Sequence, residues 1–127
     1  MDYIFDTNIF LEILLDQRRK DTCKKLLNDF KGAIFISDFS VHSIGIILFK
    51  KEKFQSFSGF ISDIANNATI LTLPVISYPR ITINAQKYHL DFDDSLQTSL
   101  AFEHNLGIIT IDTDFKKVAK DLKVIFI

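Results

Sequence analysis

Five short apolar runs constrain this chain more than any other feature: Tyr3–Phe5, Ala33–Ile36, Thr69–Leu73, Ile108–Ile111 and Val124–Ile127. They are mostly continuous rather than alternating, the pattern of strands covered on both faces. Longer stretches with helical spacing separate them: 9–15, 21–30, 39–50, 52–66, 81–89, 92–104 and 113–121. In 21–30, Cys23, Leu26, Leu27 and Phe30 share one face, and in 52–66 Phe54, Phe57, Phe60, Ile61 and Ile64 form a stripe. A β–α series of this kind predicts an α/β fold, a three-layer α/β/α sandwich whose parallel sheet has about five strands joined by right-handed crossovers. Gly and Pro are scarce, and Pro74 and Pro79 fall in one connection, so nothing resembles a linker. A single domain spanning residues 1–127 is expected at this length.

Composition narrows the function classes. Fifteen basic and sixteen acidic side chains give a net charge of −1, so no global field draws the chain to nucleic acid or membrane. An apolar fraction of 47% excludes disorder. The lone Cys23 excludes an internal disulfide framework and fits a reducing cytosol. The apolar stretch from Ile44 to Phe49 is far too short to span a bilayer, and Asp2 and Asp6 interrupt any signal-peptide pattern. The expectation is a cytoplasmic protein with no membrane association.

The acidic residues stand at strand ends, where sites form in parallel sheets. Asp6 follows the first strand in Asp6-Thr7-Asn8, and Asp112 follows the fourth in Thr110-Ile111-Asp112-Thr113-Asp114. Asp91, Asp93 and Asp94 open the helix that leads into the fourth strand. Each alone reads as a helix cap, and Asp91 with Asp94 resembles a capping box. Capping does not explain the lack of basic partners immediately beside Asp6, Asp94 and Asp112 in sequence. With the first and fourth strands adjacent, Asp6, Asp94 and Asp112 converge at one sheet edge, where mutual repulsion calls for a cation. Oxygen-only ligation favours Mg²⁺ or Mn²⁺, which activates water and offsets charge on phosphoryl oxygens.

Three segments together resemble the PIN domain family, the ribonuclease fold of many toxin–antitoxin toxins. They are Ile4-Phe5-Asp6-Thr7-Asn8-Ile9, Asp94-Ser95-Leu96-Gln97 with Ala101 downstream, and Ile109-Thr110-Ile111-Asp112-Thr113-Asp114-Phe115. Their order and separation match the family from end to end. The resemblance implies Asp6, Asp94 and Asp112 as ligands of Mg²⁺ or Mn²⁺ in a metal-dependent ribonuclease. It implies Thr7, Asn8 and Thr110 as hydrogen-bonding supports, with Asp91 and Asp114 as outer acids. RNA, an antitoxin protein and a second copy of the chain in a homodimer are the partners expected. One ligand is missing: Ser43 stands where the family carries a Glu, with His42 before it. Asp38 lies five residues away, about 7.5 Å along a helix, so it replaces that Glu poorly. The alternative is a degenerate PIN domain that binds RNA or protein with little or no nuclease activity.

Other signals are less specific. Basic clusters occur at Arg18–Lys20 with Lys24 and Lys25, at Lys50, Lys51 and Lys53, and at Lys116, Lys117, Lys120 and Lys123. Each reads as an RNA phosphate contact or as a solvated helix face. The Phe54–Phe57–Phe60 stripe reads as core, or as a groove for an antitoxin helix or a second copy. No GxGxxG or GxxxxGK[ST] loop is present. A haloacid-dehalogenase reading fails because Asn8 stands where a second Asp is needed. A receiver-domain reading fails because Asp6 has no acidic neighbour there and Lys123 begins its strand.

Overall fold

Period two in the central strands decides which residues face which layer. The computed structural model describes residues 1–127. Its strands are β1 (Tyr3–Phe5), β2 (Ile34–Ser37), β3 (Ala68–Leu71), β4 (Gly107–Thr110) and β5 (Val124–Phe126). All pairings are parallel, in the order β3-β2-β1-β4-β5, which places β1 at the centre beside β4. The helices are α1 (Thr7–Leu14), α2 (Lys20–Asp29), α3 (Asp38–Lys50), α4 (Phe54–Asn67), α5 (Pro79–Tyr88) and α6 (Phe92–Glu103).

Ile4 and Ile108 point into one apolar layer with Leu96 and Leu100 of α6. Phe5 and Ile109, one residue later on each strand, point into the opposite layer with Ile9, Ile44 and Phe60. The three-layer parallel α/β architecture follows from this alternation. Only β4 is buried along its whole length; β3 and β5, at the sheet edges, are largely uncovered, so the expectation of strands covered on both faces holds at the centre alone.

Boundaries move by one or two residues, for physical reasons. Thr72 and Leu73 leave β3 because its partner β2 ends at Ser37, opposite Leu71. Helix α5 starts early, with Pro79 in its first turn, where a missing N–H costs nothing. The expected helix over 113–121 is instead a 3-10 segment, Thr113–Lys117. Its buried Phe115 and the buried Val118 just after it lie three apart, a spacing that a 3-10 turn also serves. The Phe stripe divides: Phe60 is buried, Phe57 half-buried, and Phe54 exposed with its ring edge-on to Phe49 at 5.0 Å. No helix is long and apolar enough to cross a membrane.

Candidate metal centre

The adjacency of β1 and β4 brings their two motifs together at the carboxyl edge of the sheet, with Phe5 paired to Ile109. Asp6 leaves β1 in extended conformation and caps α1, its Oδ1 accepting from the Thr7 N–H at 2.8 Å. The same oxygen accepts from Gln97 Nε2 of α6 at 2.5 Å, while Oδ2 accepts from Thr110 Oγ1 at 2.6 Å. Both oxygens of a buried carboxylate are thereby held, as a buried charge requires. The Thr110 hydroxyl in turn accepts from the Asp112 N–H at 2.9 Å, so one side chain fixes Asp6 and the backbone of the next motif.

Helix α6 supplies the second set. Asp91 is its N-cap, accepting from the Asp94 N–H at 3.3 Å, which is the capping arrangement the sequence suggested. Gln97 lies three residues beyond Asp94 and so shares its helix face. Carboxylate oxygens of Asp94, Asp112 and Asp114 lie within 4.8 Å of one another, as do those of Asp91, Asp93 and Asp94. Asp94 belongs to both groups. Asp6 belongs to neither; it stands beside them, bound by Gln97 and Thr110.

Electrostatics match this crowding. Burial, then the charges of Asp91, Asp6, Asp93 and Asp112, push the Asp94 carboxyl up to about 8. Burial also raises Asp6 to about 6, against the lowering effect of the Thr110 and Thr7 hydrogen bonds. The ion pairs of the molecule, Lys20–Asp16, Lys25–Asp29 and Lys87–Asp121, include none of these acids. An all-oxygen donor set built around a carboxyl, Asp94, that burial and neighbouring charges push up to about 8, with no lysine or arginine paired to it, fits a hard divalent cation.

The supporting residues divide. Thr7 passes the network on through its hydroxyl, 2.7 Å from Ser40 Oγ, which the Ser37 hydroxyl also reaches at 2.9 Å. Asn8 is exposed and its side chain makes no hydrogen bond in this network. Ser43 is half-buried on α3, three residues beyond Ser40 and thus on the helix face that meets Thr7. Asp38 does not stand in for the missing Glu. Its Oδ2 accepts from Thr72 Oγ1 at 3.2 Å and its Oδ1 from the Phe39 N–H, and it joins neither acidic group. Sequence reasoning assigned no role to Gln97, Ser40 or Asp93. The signals available for Gln97 were its place in the Asp94-Ser95-Leu96-Gln97 segment and its i, i+3 spacing from Asp94.

A parallel α/β fold with carboxylates gathered where β1 and β4 end defines a class of acidic-site proteins. Within that class the chain belongs to the PIN domain family, whose model matches residues 3–121. Three solved structures share the fold. A toxin–antitoxin complex from Klebsiella pneumoniae aligns with a TM-score of 0.78 and 22% identity, over 98% of this chain and 96% of that one. VapBC2 from Rickettsia felis, bound to a DNA fragment from its promoter, aligns with a TM-score of 0.80 and 18% identity over 99% and 98%. FitAcB from Neisseria gonorrhoeae aligns with a TM-score of 0.66 and 20% identity over 98% and 96%. No curated protein matches the sequence.

Proposed function

We propose that the chain is a toxin-like ribonuclease that hydrolyses RNA phosphodiester bonds with Mg²⁺ or Mn²⁺, its 127 residues forming one PIN-like domain. The observation that carries this reading is the convergence of Asp94, Asp112 and Asp114, with oxygens within 4.8 Å and no cationic side chain paired to them. Asp94 and Asp112 would hold the cation with Asp114 beside them, and Asp6, fixed through Thr110 and Gln97, would set the field and hold Asp112 in place. A divalent cation at such a site supplies water activation and charge neutralisation on the scissile phosphate. The backbone of the RNA would lie across the carboxyl edge of the sheet, with lysines of the 3-10 segment, Lys116 and Lys117, available for phosphate. An antitoxin protein belongs to the same proposal, supported by the toxin–antitoxin complexes that share the fold, and a homodimer of the chain is proposed with it.

The test is a nuclease assay of the purified protein on mixed RNA and on DNA of the same sequence, with Mn²⁺ or EDTA. Cleavage of RNA that needs Mn²⁺ and disappears in Asp94→Asn is the expected result. Cleavage that persists in EDTA or in Asp94→Asn overturns it. Ser43 favours a second reading, in which an incomplete acid set leaves a binding module. RNA or a protein partner would then bind, with little or no cleavage.

A further inference from the structure

A second concavity lies beside the acidic edge and takes no part in it. Its volume is about 190 Å³, and Asp38, Phe39, His42, Tyr78, Phe92 and Leu96 are among the residues that line it. Phe92 stands between Asp91 and Asp93 in the chain, so this cavity shares α6 with the acidic centre. Phe92 remains 57% exposed although its ring meets that of Phe39 edge-on at 5.9 Å, and Tyr78 remains 48% exposed. Large aromatic surfaces left to water beside a phosphodiester site suit an unstacked base.

The Asp38 carboxylate gives the cavity a pair of acceptor oxygens, and the Tyr78 hydroxyl can donate or accept. His42 Nδ1 lies 2.8 Å from the Asp38 carbonyl oxygen. A carbonyl only accepts, so Nδ1 carries the proton and donates to it. The Asp38 carboxylate accepts from the Phe39 N–H and the Thr72 hydroxyl, which leaves acceptor positions on both oxygens. Acceptors in an aromatic cavity select a base edge that carries donors. Guanine offers N1–H and N2–H₂ side by side, a match for two carboxylate oxygens. Uracil offers one N–H between two carbonyls, which face the carboxylate unfavourably.

We propose that this cavity is a base subsite that prefers guanine in the RNA strand lying on the acidic edge. Asp38 reads the Watson–Crick edge, and Phe92 and Tyr78 supply the apolar faces. The proposal rests on the ribonuclease reading for its substrate and on the cavity alone for its base preference.

The test is an NMR titration of the labelled protein with GMP and with UMP in EDTA, which reads base binding apart from cleavage. GMP should shift the His42 and Phe92 ring signals and bind about tenfold tighter than UMP, the discrimination of one bidentate pair. Asp38→Asn should abolish the preference, and Phe92→Ala, at an exposed position, should weaken both nucleotides. Shifts confined to residues around Asp94 and Asp112, or equal affinity for the two nucleotides, overturn the subsite. A cavity that ignores both nucleotides also overturns it. Loss of the ribonuclease reading shows separately, as RNA cleavage that survives Asp94→Asn while the GMP preference stands.

Discussion

Gln97 of α6 donates to Asp6 at the end of β1, a bond of 2.5 Å between residues ninety-one positions apart in sequence. Its other amide atom, Oε1, is buried without a partner, so the contact with Asp6 is the one polar anchor of a side chain only 2% exposed. A donor to the ionised form favours ionisation. Gln97→Leu should therefore raise the Asp6 pKa above its present value of about 6. Carboxyl ¹³C titration reads this directly, and an unchanged or lower value would show that Thr110 and Thr7 alone set the charge on Asp6.

Stability without metal should fall as pH rises. The carboxyls of Asp6, at about 6, and Asp94, at about 8, exceed the 3.8 of an unperturbed Asp. The folded chain then binds protons that the unfolded chain releases. That contribution is complete below the unfolded value and is lost as pH climbs through about 6 and then about 8. Melting curves in EDTA should show a declining midpoint across this window, with a smaller decline in Asp94→Asn. Millimolar Mn²⁺ should restore the wild-type midpoint at the alkaline end, because the cation replaces the protons. A flat curve in EDTA contradicts the crowding.

Ser43→Glu tests the place of the missing acid. The α3 face that carries Ser43 meets Thr7 through Ser40, so a longer acidic side chain would reach toward the carboxylates from the side opposite α6. Tighter Mn²⁺ binding by calorimetry is expected, with RNA cleavage above wild type that Asp6→Asn still removes. Unchanged affinity for Mn²⁺ would place the absent ligand elsewhere.

Gly107 tests the sheet apart from the site. A Cβ there would stand 2.5 Å from the ring of Tyr3 on β1 and 2.9 Å from the carbonyl oxygen of Lys123, the residue before β5. The strands must separate or the ring must turn. Gly107→Ala should cost about 1–3 kcal/mol in chemical denaturation. No loss would mean that Tyr3 moves aside freely despite its edge-on contact with Phe30 at 5.9 Å.

The sheet was legible because continuous apolar runs leave little choice, and the expected strands overlap every observed one. Their ends were less so, since pairing partners terminate a strand: Thr72 and Leu73 are as β-prone as Leu71 but have nothing opposite. The 113–121 segment misled because Phe115 and Val118 fit either a helix or a 3-10 turn, and a single pair does not separate the periods. Among site residues, acids at strand ends announced themselves by position. Gln97 and Ser40 did not, because their roles depend on how α6 and α3 settle against β1, which no local pattern encodes.

Central placement of β1 has a consequence for biosynthesis. Of the five strands β1 is synthesised before the others, yet Thr110, which grips the adjacent Asp6, follows 104 residues later. A growing chain that has reached only β3 displays Asp6 without Gln97, Thr110 or any acid of α6. Products of premature termination in that range carry none of the crowded carboxylates, and translation must run through β4 before the charge cluster exists. If the chain cuts RNA, it stays inert beside the ribosome that makes it until the acids that follow β4 have been added.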